Sequence, residues 1–342
     1  MRAAARALWH DADMALHVLE SVRFANSVWN LPPSYVEDLR ASFPEVRFSN
    51  PEHAADADAV LPEADIVVGW AVNEGNFAIA HRLRWVHATA AGVGSLMFPA
   101  MVASEVVITN SRGLHADAMG EHTLGVMLSF VRQLHRSRDA QRERRWAQDE
   151  LWSSPPQFGR LADSTMVLVG LGAVGGAIAV RARALGVHVI AIRRRPQPDP
   201  APADEQWGIA ELHRLLPRAD WLVLAAPLTA ESRHLIGERE LAALEPSAVL
   251  VNVGRGHLVD EPALVRALES GRLAGAALDV MEEEPLPGTS PLWGMPNVLV
   301  TPHISGLAPD YWGRAMRMFA DNLRRYLDGR PLLNVVDKRA GY

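Results

Sequence analysis

Short apolar runs rich in β-branched residues alternate along the chain with longer stretches in which apolar and polar positions recur at helical spacing. This alternation is typical of parallel sheets with helices on both faces, so the predicted fold class is α/β. In the first third of the chain the pattern predicts one small sheet of four strands: Ala15 to Leu19, Asp65 to Gly69, Trp85 to Thr89 and Glu105 to Thr109.

A second series of strand candidates begins at residue 165. It has six members, the number found in a dinucleotide-binding sheet: Thr165 to Val169, Val187 to Ile192, Trp221 to Ala225, Ala248 to Asn252, Ala274 to Asp279 and Val298 to Thr301. A long helix is predicted before this series, from about Ala116 to His135. A final amphipathic helix, Tyr311 to Leu327, follows it, and we expect this helix to pack on the first domain.

An arginine-rich stretch separates the two series, with six arginines between Arg132 and Arg145. It leads to Ser153-Ser154-Pro155-Pro156, where we expect a crossover between domains. The length of 342 residues agrees with two cores. Apolar residues make up 49% and charged residues 22%, which excludes disordered, collagen-like and coiled-coil chains.

Charge and cysteine content narrow the possible partners. A net charge of -6 offers no general attraction for nucleic acid. The absence of cysteine excludes disulfides and thiolate chemistry and is compatible with a cytoplasmic location, so redox chemistry would need a cofactor. The N-terminal segment is interrupted by His10, Asp11 and Asp13 and does not resemble a signal peptide. Glycine and proline interrupt the two longest uncharged stretches, so no membrane span is expected.

A glycine motif carries the first chemical signal. Gly170-Leu171-Gly172-Ala173-Val174-Gly175 lies between a strand candidate and a helix candidate. There glycines permit a tight turn, close approach of the backbone to a pyrophosphate, and close packing of helix on strand. The motif predicts dinucleotide binding.

The next strand ends in Arg193-Arg194-Arg195, where NAD-binding proteins normally carry an acidic residue. Guanidinium groups can pair with a 2'-phosphate, so we expect NADPH to be preferred and NADH to be possible. The alternative is a solvated charge run, which equal kcat/KM with both cofactors would support.

Three more segments follow strands of the second series: 252–256 with Arg255, 279–285 with Glu284, and 301–306 with His303. Carboxyl ends of parallel strands form the sites of open α/β sheets, so these side chains could converge. Reduction of a 2-keto acid needs a cation for the carboxylate and carbonyl oxygens and a proton donor beside the carbonyl.

With these motifs the chain resembles the D-isomer-specific 2-hydroxyacid dehydrogenases from about residue 85 to 336. The resemblance also rests on Thr109-Asn110-Ser-Arg-Gly113, Glu121-His122, Ala219-Asp220, Pro227-Leu-Thr229 and Asn322. It implies two domains of Rossmann-like or flavodoxin-like type with parallel sheets and an active site in the cleft between them. The implied substrate-binding domain comprises residues 1–112 and 305–342, and the dinucleotide-binding domain residues 113–304.

The resemblance also assigns roles to individual residues. It implies that Arg255 holds the substrate carboxylate and polarises its carbonyl, that His303 donates the proton, and that Glu284 pairs with His303 and raises its pKa. Asp279 would anchor the nicotinamide carboxamide, although an aspartate at a strand end is also an ordinary turn residue. The cofactor site implied by the resemblance further includes Pro227 and Val253.

The turn Ala91-Gly92-Val93 resembles the family's glycine-rich turn, whose N–H groups bind the substrate carboxylate. Ala91 stands where glycine is usual and Gly94 where aspartate is common, and a plain strand-to-helix turn is the alternative. Trp146 and Trp152 lie near the family's dimer-forming segment, although tryptophan is more often a core or interface residue, and we expect a homodimer.

No metal is predicted, because His115 and His122 lie seven residues apart with no carboxylate cluster to complete a site. The expected activity is interconversion of a small 2-keto acid and a D-2-hydroxy acid. A phosphoglycerate dehydrogenase and a non-catalytic nucleotide-sensing binding protein of the same fold are the alternatives. The sequence leaves open which 2-keto acid is the substrate and which direction is physiological.

Overall fold

The computed structural model describes residues 15–23, 29–153 and 158–341. The chain divides into two compact units, residues 1–114 with 309–342 and residues 115–308. The predicted crossover at Ser154-Pro155-Pro156 lies outside the described residues.

The first unit is built on a five-stranded parallel sheet. Its strands are β1 His17–Ser21, β2 Arg47–Ser49, β3 Ile66–Gly69, β4 Trp85–Ala88 and β5 Val107–Asn110, in the order β2-β1-β3-β4-β5. This is a doubly wound order. The pattern placed β1 two residues early and missed β2, a three-residue strand in which only Phe48 is buried.

Helices cover both faces of this sheet: α1 Pro33–Ser42, α2 Ala57–Val60 and α3 Pro99–Ala103. Side chains alternate across the sheet, so Ile66 and Val68 enter one apolar cluster and Val67 enters the other. Because both faces are covered, β3 is buried along its whole length and reads as an uninterrupted apolar run.

The second unit contains seven parallel strands. They are β6 Thr165–Val169, β7 His188–Ile192, β8 Glu205–Trp207, β9 Trp221–Leu224, β10 Val249–Asn252, β11 Gly275–Leu278 and β12 Val298–Val300, in the order β12-β11-β10-β9-β6-β7-β8. The six predicted strands are present. β8 was missed, because its residues Glu205, Gln206 and Trp207 do not form an apolar run. The order reverses between β6 and β9, which is where such sheets bind ligands.

The helices of the second unit are α4 Ala116–Val131, α5 Leu134–Arg142, α6 Gln148–Ser153, α7 Ala173–Ala184, α8 Leu212–Leu215, α9 Glu238–Ala243 and α10 Glu261–Glu269. The single helix predicted from 116 to 135 is wrong at its end, because Gln133 adopts a left-handed backbone (φ 55°) that separates α4 from α5. Trp146 and Trp152 are 91% and 73% exposed, so neither belongs to the core of this unit.

The final helix, α11 Tyr311–Leu327, has the predicted bounds and belongs to the first unit. It buries Ala315, Met316, Phe319 and Leu323 against the sheet, and the Phe319 and Trp85 rings lie 5.4 Å apart. The two parallel sheets flanked by helices confirm the predicted α/β class. Among the described residues, no helix combines the length and the hydrophobicity needed to cross a membrane.

Candidate active site

The loop between β6 and α7 needs glycine at two positions for steric reasons. Gly170 has φ +101°, and a Cβ there would lie 2.8 Å from the backbone of Ala225. A Cβ on Gly175 would lie 1.9 Å from the Gly170 carbonyl oxygen. These contacts bring the start of α7 directly against the end of β6.

Gly172 has a different environment. It precedes the first residue of α7, is exposed, and a Cβ added to it would meet nothing within 4 Å. The open space therefore faces the positive end of a twelve-residue helix, with Ala173 exposed and Leu171 and Val174 partly buried beside it. These residues fit the pyrophosphate of a dinucleotide.

The arginines after β7 lie at the same edge of the sheet. The Arg193 backbone N–H donates to the Trp207 carbonyl at 3.0 Å, and its guanidinium lies 3.5 Å from Gln206 Oε1. Arg193 is partly buried, while Arg194 and Arg195 are exposed. Three cations at this strand end suit a phosphorylated ribose better than a free 2'-hydroxyl.

Arg255 is held by the loop that follows β10. The Asn252 side chain accepts from the Gly254 N–H at 3.0 Å and donates to the Arg255 carbonyl at 2.9 Å. A Cβ on Gly256 would lie 1.9 Å from the Met281 carbonyl, so this loop touches the backbone that follows β11. Burial lowers the pKa of Arg255, and the charge of Glu284 opposes that effect.

Glu284 and His303 form a hydrogen-bonded pair. Glu284 Oε2 lies 2.6 Å from His303 Nδ1, and the Met281 N–H donates to Glu284 Oε1 at 3.1 Å. Burial favours a higher pKa for Glu284, but the bond and charge of His303, the Met281 N–H and the charge of Arg255 together lower it. Glu284 is therefore ionised at neutral pH, and the pair leaves His303 Nε2 for a substrate.

The segment carrying His303 is fixed by Asp279, at the end of β11. The Asp279 side chain is only 1% exposed, and it accepts hydrogen bonds from the Thr301 hydroxyl (2.6 Å) and from the N–H groups of Ile304 (2.9 Å) and Ser305 (3.0 Å). Its carbonyl accepts from the His303 N–H at 2.9 Å. These bonds hold His303 in a left-handed conformation (φ 52°) that side-chain-bearing residues seldom adopt.

The sequence did not reveal this contribution of Asp279, or that of Thr301. Burial favours a higher pKa for Asp279, but its hydrogen bonds lower it, so the carboxylate is charged. The contact with a nicotinamide carboxamide stays a prediction.

The remaining predicted residues lie at the ends of β4, β9 and β10. Ala91 and Gly92 are partly buried and Val93 is 2% exposed in the turn after β4. Pro227 is exposed, and its carbonyl accepts from the Ser232 hydroxyl at 2.8 Å. Val253 is 2% exposed and donates its N–H to the Leu224 carbonyl. All the predicted cofactor residues thus follow strands of the second sheet.

His115 and His122 make separate contacts. His115 Nδ1 lies 3.0 Å from the Gly306 carbonyl oxygen, and His122 Nε2 lies 3.3 Å from the Thr301 hydroxyl. Across residues 15–23, 29–153 and 158–341, no group of three or more His, Asp or Glu side chains is arranged to hold a metal ion.

Comparison with known proteins identifies the family to which the chain is similar. Residues 124–305, more than half of the chain, match the model of the D-isomer specific 2-hydroxyacid dehydrogenase, NAD binding domain. The chain is 30% identical over 328 residues to glyoxylate/hydroxypyruvate reductase B of Citrobacter koseri, covering 95% of each protein.

Two solved structures resemble the whole chain. A D-isomer specific 2-hydroxyacid dehydrogenase family protein from Aeromonas salmonicida is 32% identical with a TM-score of 0.80, covering 95% of this chain and 100% of that one. The NADPH-dependent glyoxylate/hydroxypyruvate reductase of Sinorhizobium meliloti, solved with NADP and sulfate, is 29% identical with a TM-score of 0.79, covering 96% and 100%.

Proposed function

The chain belongs to the D-isomer specific 2-hydroxyacid dehydrogenase family, and we propose that it reduces a small 2-keto acid to the D-2-hydroxy acid with NADPH as the preferred cofactor. The observation that carries this proposal is the 2.6 Å pair of Glu284 and His303, with the charge of Arg255 acting on the same carboxylate. Carbonyl reduction requires a cation beside the substrate and a proton donor, here an imidazole that is hydrogen-bonded to a carboxylate.

Each group has a specific role in the proposed reaction. The nicotinamide, when bound, supplies the hydride. Arg255 binds the substrate carboxylate and stabilises the charge that develops on the carbonyl oxygen, and His303 Nε2 gives that oxygen a proton. Glu284 stabilises the imidazolium before the transfer. The N–H groups of Ala91, Gly92 and Val93 bind the second side of the substrate carboxylate.

The cofactor preference rests on the end of β7. Arg193 and Arg194 are proposed to bind the 2'-phosphate, and Gly170 to Gly175 the pyrophosphate. Pro227, Val253 and Asp279 are proposed to complete the cofactor site. The presence of NADP in the related Sinorhizobium meliloti reductase supports this preference.

The test measures oxidation of NADPH and of NADH with each acid of a panel of 2-keto acids. The reaction is monitored by the loss of nicotinamide absorbance. We expect turnover with one or two acids and a higher kcat/KM with NADPH. His303→Ala should lower kcat by about 10²- to 10⁴-fold. His213→Ala, which removes an exposed histidine from α8, is the matched control.

Three outcomes would count against the proposal. Full activity of His303→Ala would remove His303 from the mechanism. Equal kcat/KM with both cofactors would indicate that Arg193, Arg194 and Arg195 are a solvated charge run and do not set the cofactor preference. Tight nucleotide binding without turnover of any acid would favour a nucleotide-sensing protein.

A further inference from the structure

The turn after β4 is held by its carbonyl groups. Four consecutive carbonyl oxygens accept hydrogen bonds: Ala88 from the Ser111 hydroxyl (3.2 Å), Thr89 from the Tyr311 hydroxyl, Ala90 from the Ser111 N–H (3.1 Å) and Ala91 from the Asn110 amide (2.7 Å). Within the described residues, the N–H groups of Ala90, Ala91 and Gly92 have no acceptor.

Peptide geometry links these two observations. In a trans peptide the C=O of one residue and the N–H of the next point in opposite directions in one plane. The peptide bonds of this turn are trans. Fixing the carbonyls of Thr89, Ala90 and Ala91 therefore aims three successive N–H groups away from their anchors. Successive N–H groups of this kind attract an anion.

We propose that Tyr311 is a positioning residue for substrate binding, because its hydroxyl fixes the first peptide plane of this amide turn. The inference rests on the proposed function, in which the N–H groups of Ala91, Gly92 and Val93 bind the substrate carboxylate. Tyr311 fixes the peptide plane that precedes these groups and so adds the Ala90 N–H to the same turn. Tyr311 lies 222 residues from Thr89 along the chain, and its hydroxyl reaches the turn from the first residue of α11.

The surroundings of Tyr311 suit a rigid donor. The residue is 7% exposed, and its ring lies edge-on to Trp29 at 5.9 Å and to Trp312 at 4.8 Å. Burial raises the pKa of Tyr311 to about 12, so the phenol keeps its proton across any practical assay range.

Tyr311→Phe removes the hydroxyl and keeps the ring. We expect KM for the 2-keto acid, and Ki for oxalate as a competitive carboxylate probe, to rise together by roughly three- to tenfold, the effect of one hydrogen bond of ordinary strength. We expect kcat and KM for NADPH to stay within about twofold of wild type. A general loss of structure would change all four quantities.

Tyr326→Phe is the matched control. Tyr326 is on the same helix, and burial raises its pKa to about 12 as well, but its ring stacks on Trp85 at the other end of β4, 5.6 Å away. This variant should leave all four quantities unchanged.

The outcomes separate the two proposals. A wild-type enzyme that reduces 2-keto acids, together with unchanged substrate KM and oxalate Ki in Tyr311→Phe, would overturn the role of Tyr311 and leave the proposed function standing. A wild-type protein silent towards every acid would overturn the proposed function, and the role of Tyr311 with it.

Discussion

Replacing Glu284 with glutamine removes the negative charge beside His303 and keeps almost the same volume. The lowered pKa of Glu284 means that this charge is present throughout the neutral range. In reduction the donor gives its proton to the carbonyl oxygen, and the charge of Glu284 stabilises the protonated donor. Without the carboxylate this stabilisation is lost, so kcat/KM for reduction should fall.

The size of this fall follows from the geometry of the pair. Two unit charges about 4 Å apart interact by ~1 kcal/mol in water and by ~4 kcal/mol at an effective dielectric constant of about 20. The His303 and Glu284 side chains are 46% and 32% exposed, which places the pair nearer the aqueous limit. An interaction of about 1–2 kcal/mol corresponds to a roughly tenfold change in rate, since ~1.4 kcal/mol is a factor of ten.

The assay is kcat/KM for NADPH-driven reduction at neutral pH, where Glu284 is ionised. We expect kcat/KM of Glu284→Gln to be roughly tenfold lower than that of wild type. KM for the 2-keto acid is measured separately, because the charge of Glu284 also acts on Arg255.

Glu283→Gln is the matched control, because it makes the same change of charge one residue earlier. Glu283 is exposed and forms no hydrogen bond or ion pair within the described part of the chain. Its kcat/KM should equal that of wild type. Equal kcat/KM for wild type, Glu283→Gln and Glu284→Gln would refute the idea that the charge of Glu284 supports the proton donor.

Two further predictions concern stability. Gly256→Ala should lower the free energy of unfolding by about 1–3 kcal/mol and reduce kcat, because its Cβ would lie 1.9 Å from the Met281 backbone. Gly294→Ala is the control, because a Cβ there has open space. Equal urea midpoints for the two variants would contradict this prediction. The hydrogen bond from Arg218 lowers the pKa of Glu205 to about 2; burial opposes this effect, and bonds from His188 and Trp207 add to it. The ionised Glu205 therefore stabilises the folded state above its ordinary pKa of 4.5, and this stabilisation is lost as the pH falls towards 2. Glu205→Gln should therefore melt below wild type at pH 7, with a gap that narrows under acid; a gap independent of pH would contradict the assignment.

Much of the second unit could be predicted because its signals are local. β6, the glycine motif and the start of α7 are contiguous, and Gly170 and Gly175 lie directly against backbone of the same unit. The predicted strands of this sheet stand out as mostly apolar runs, whereas β8 consists of Glu205, Gln206 and Trp207 and gives no such signal. The position of His303 beside Glu284 could also be anticipated, since both follow neighbouring strands of one parallel sheet.

Only the tertiary structure decided which groups hold the His303 segment and the amide turn in place. The bonds from Asp279 to the His303 segment span about 25 residues, and the bond from Tyr311 to Thr89 spans 222. An aspartate at a strand end and a tyrosine at a helix start have no periodicity or spacing that marks them. Their roles depend on distances of about 3 Å between atoms that come together only when whole sheets and helices pack. The sequence therefore determined the fold class and the candidate catalytic side chains, while the fold determined how those side chains and the amide turn are held.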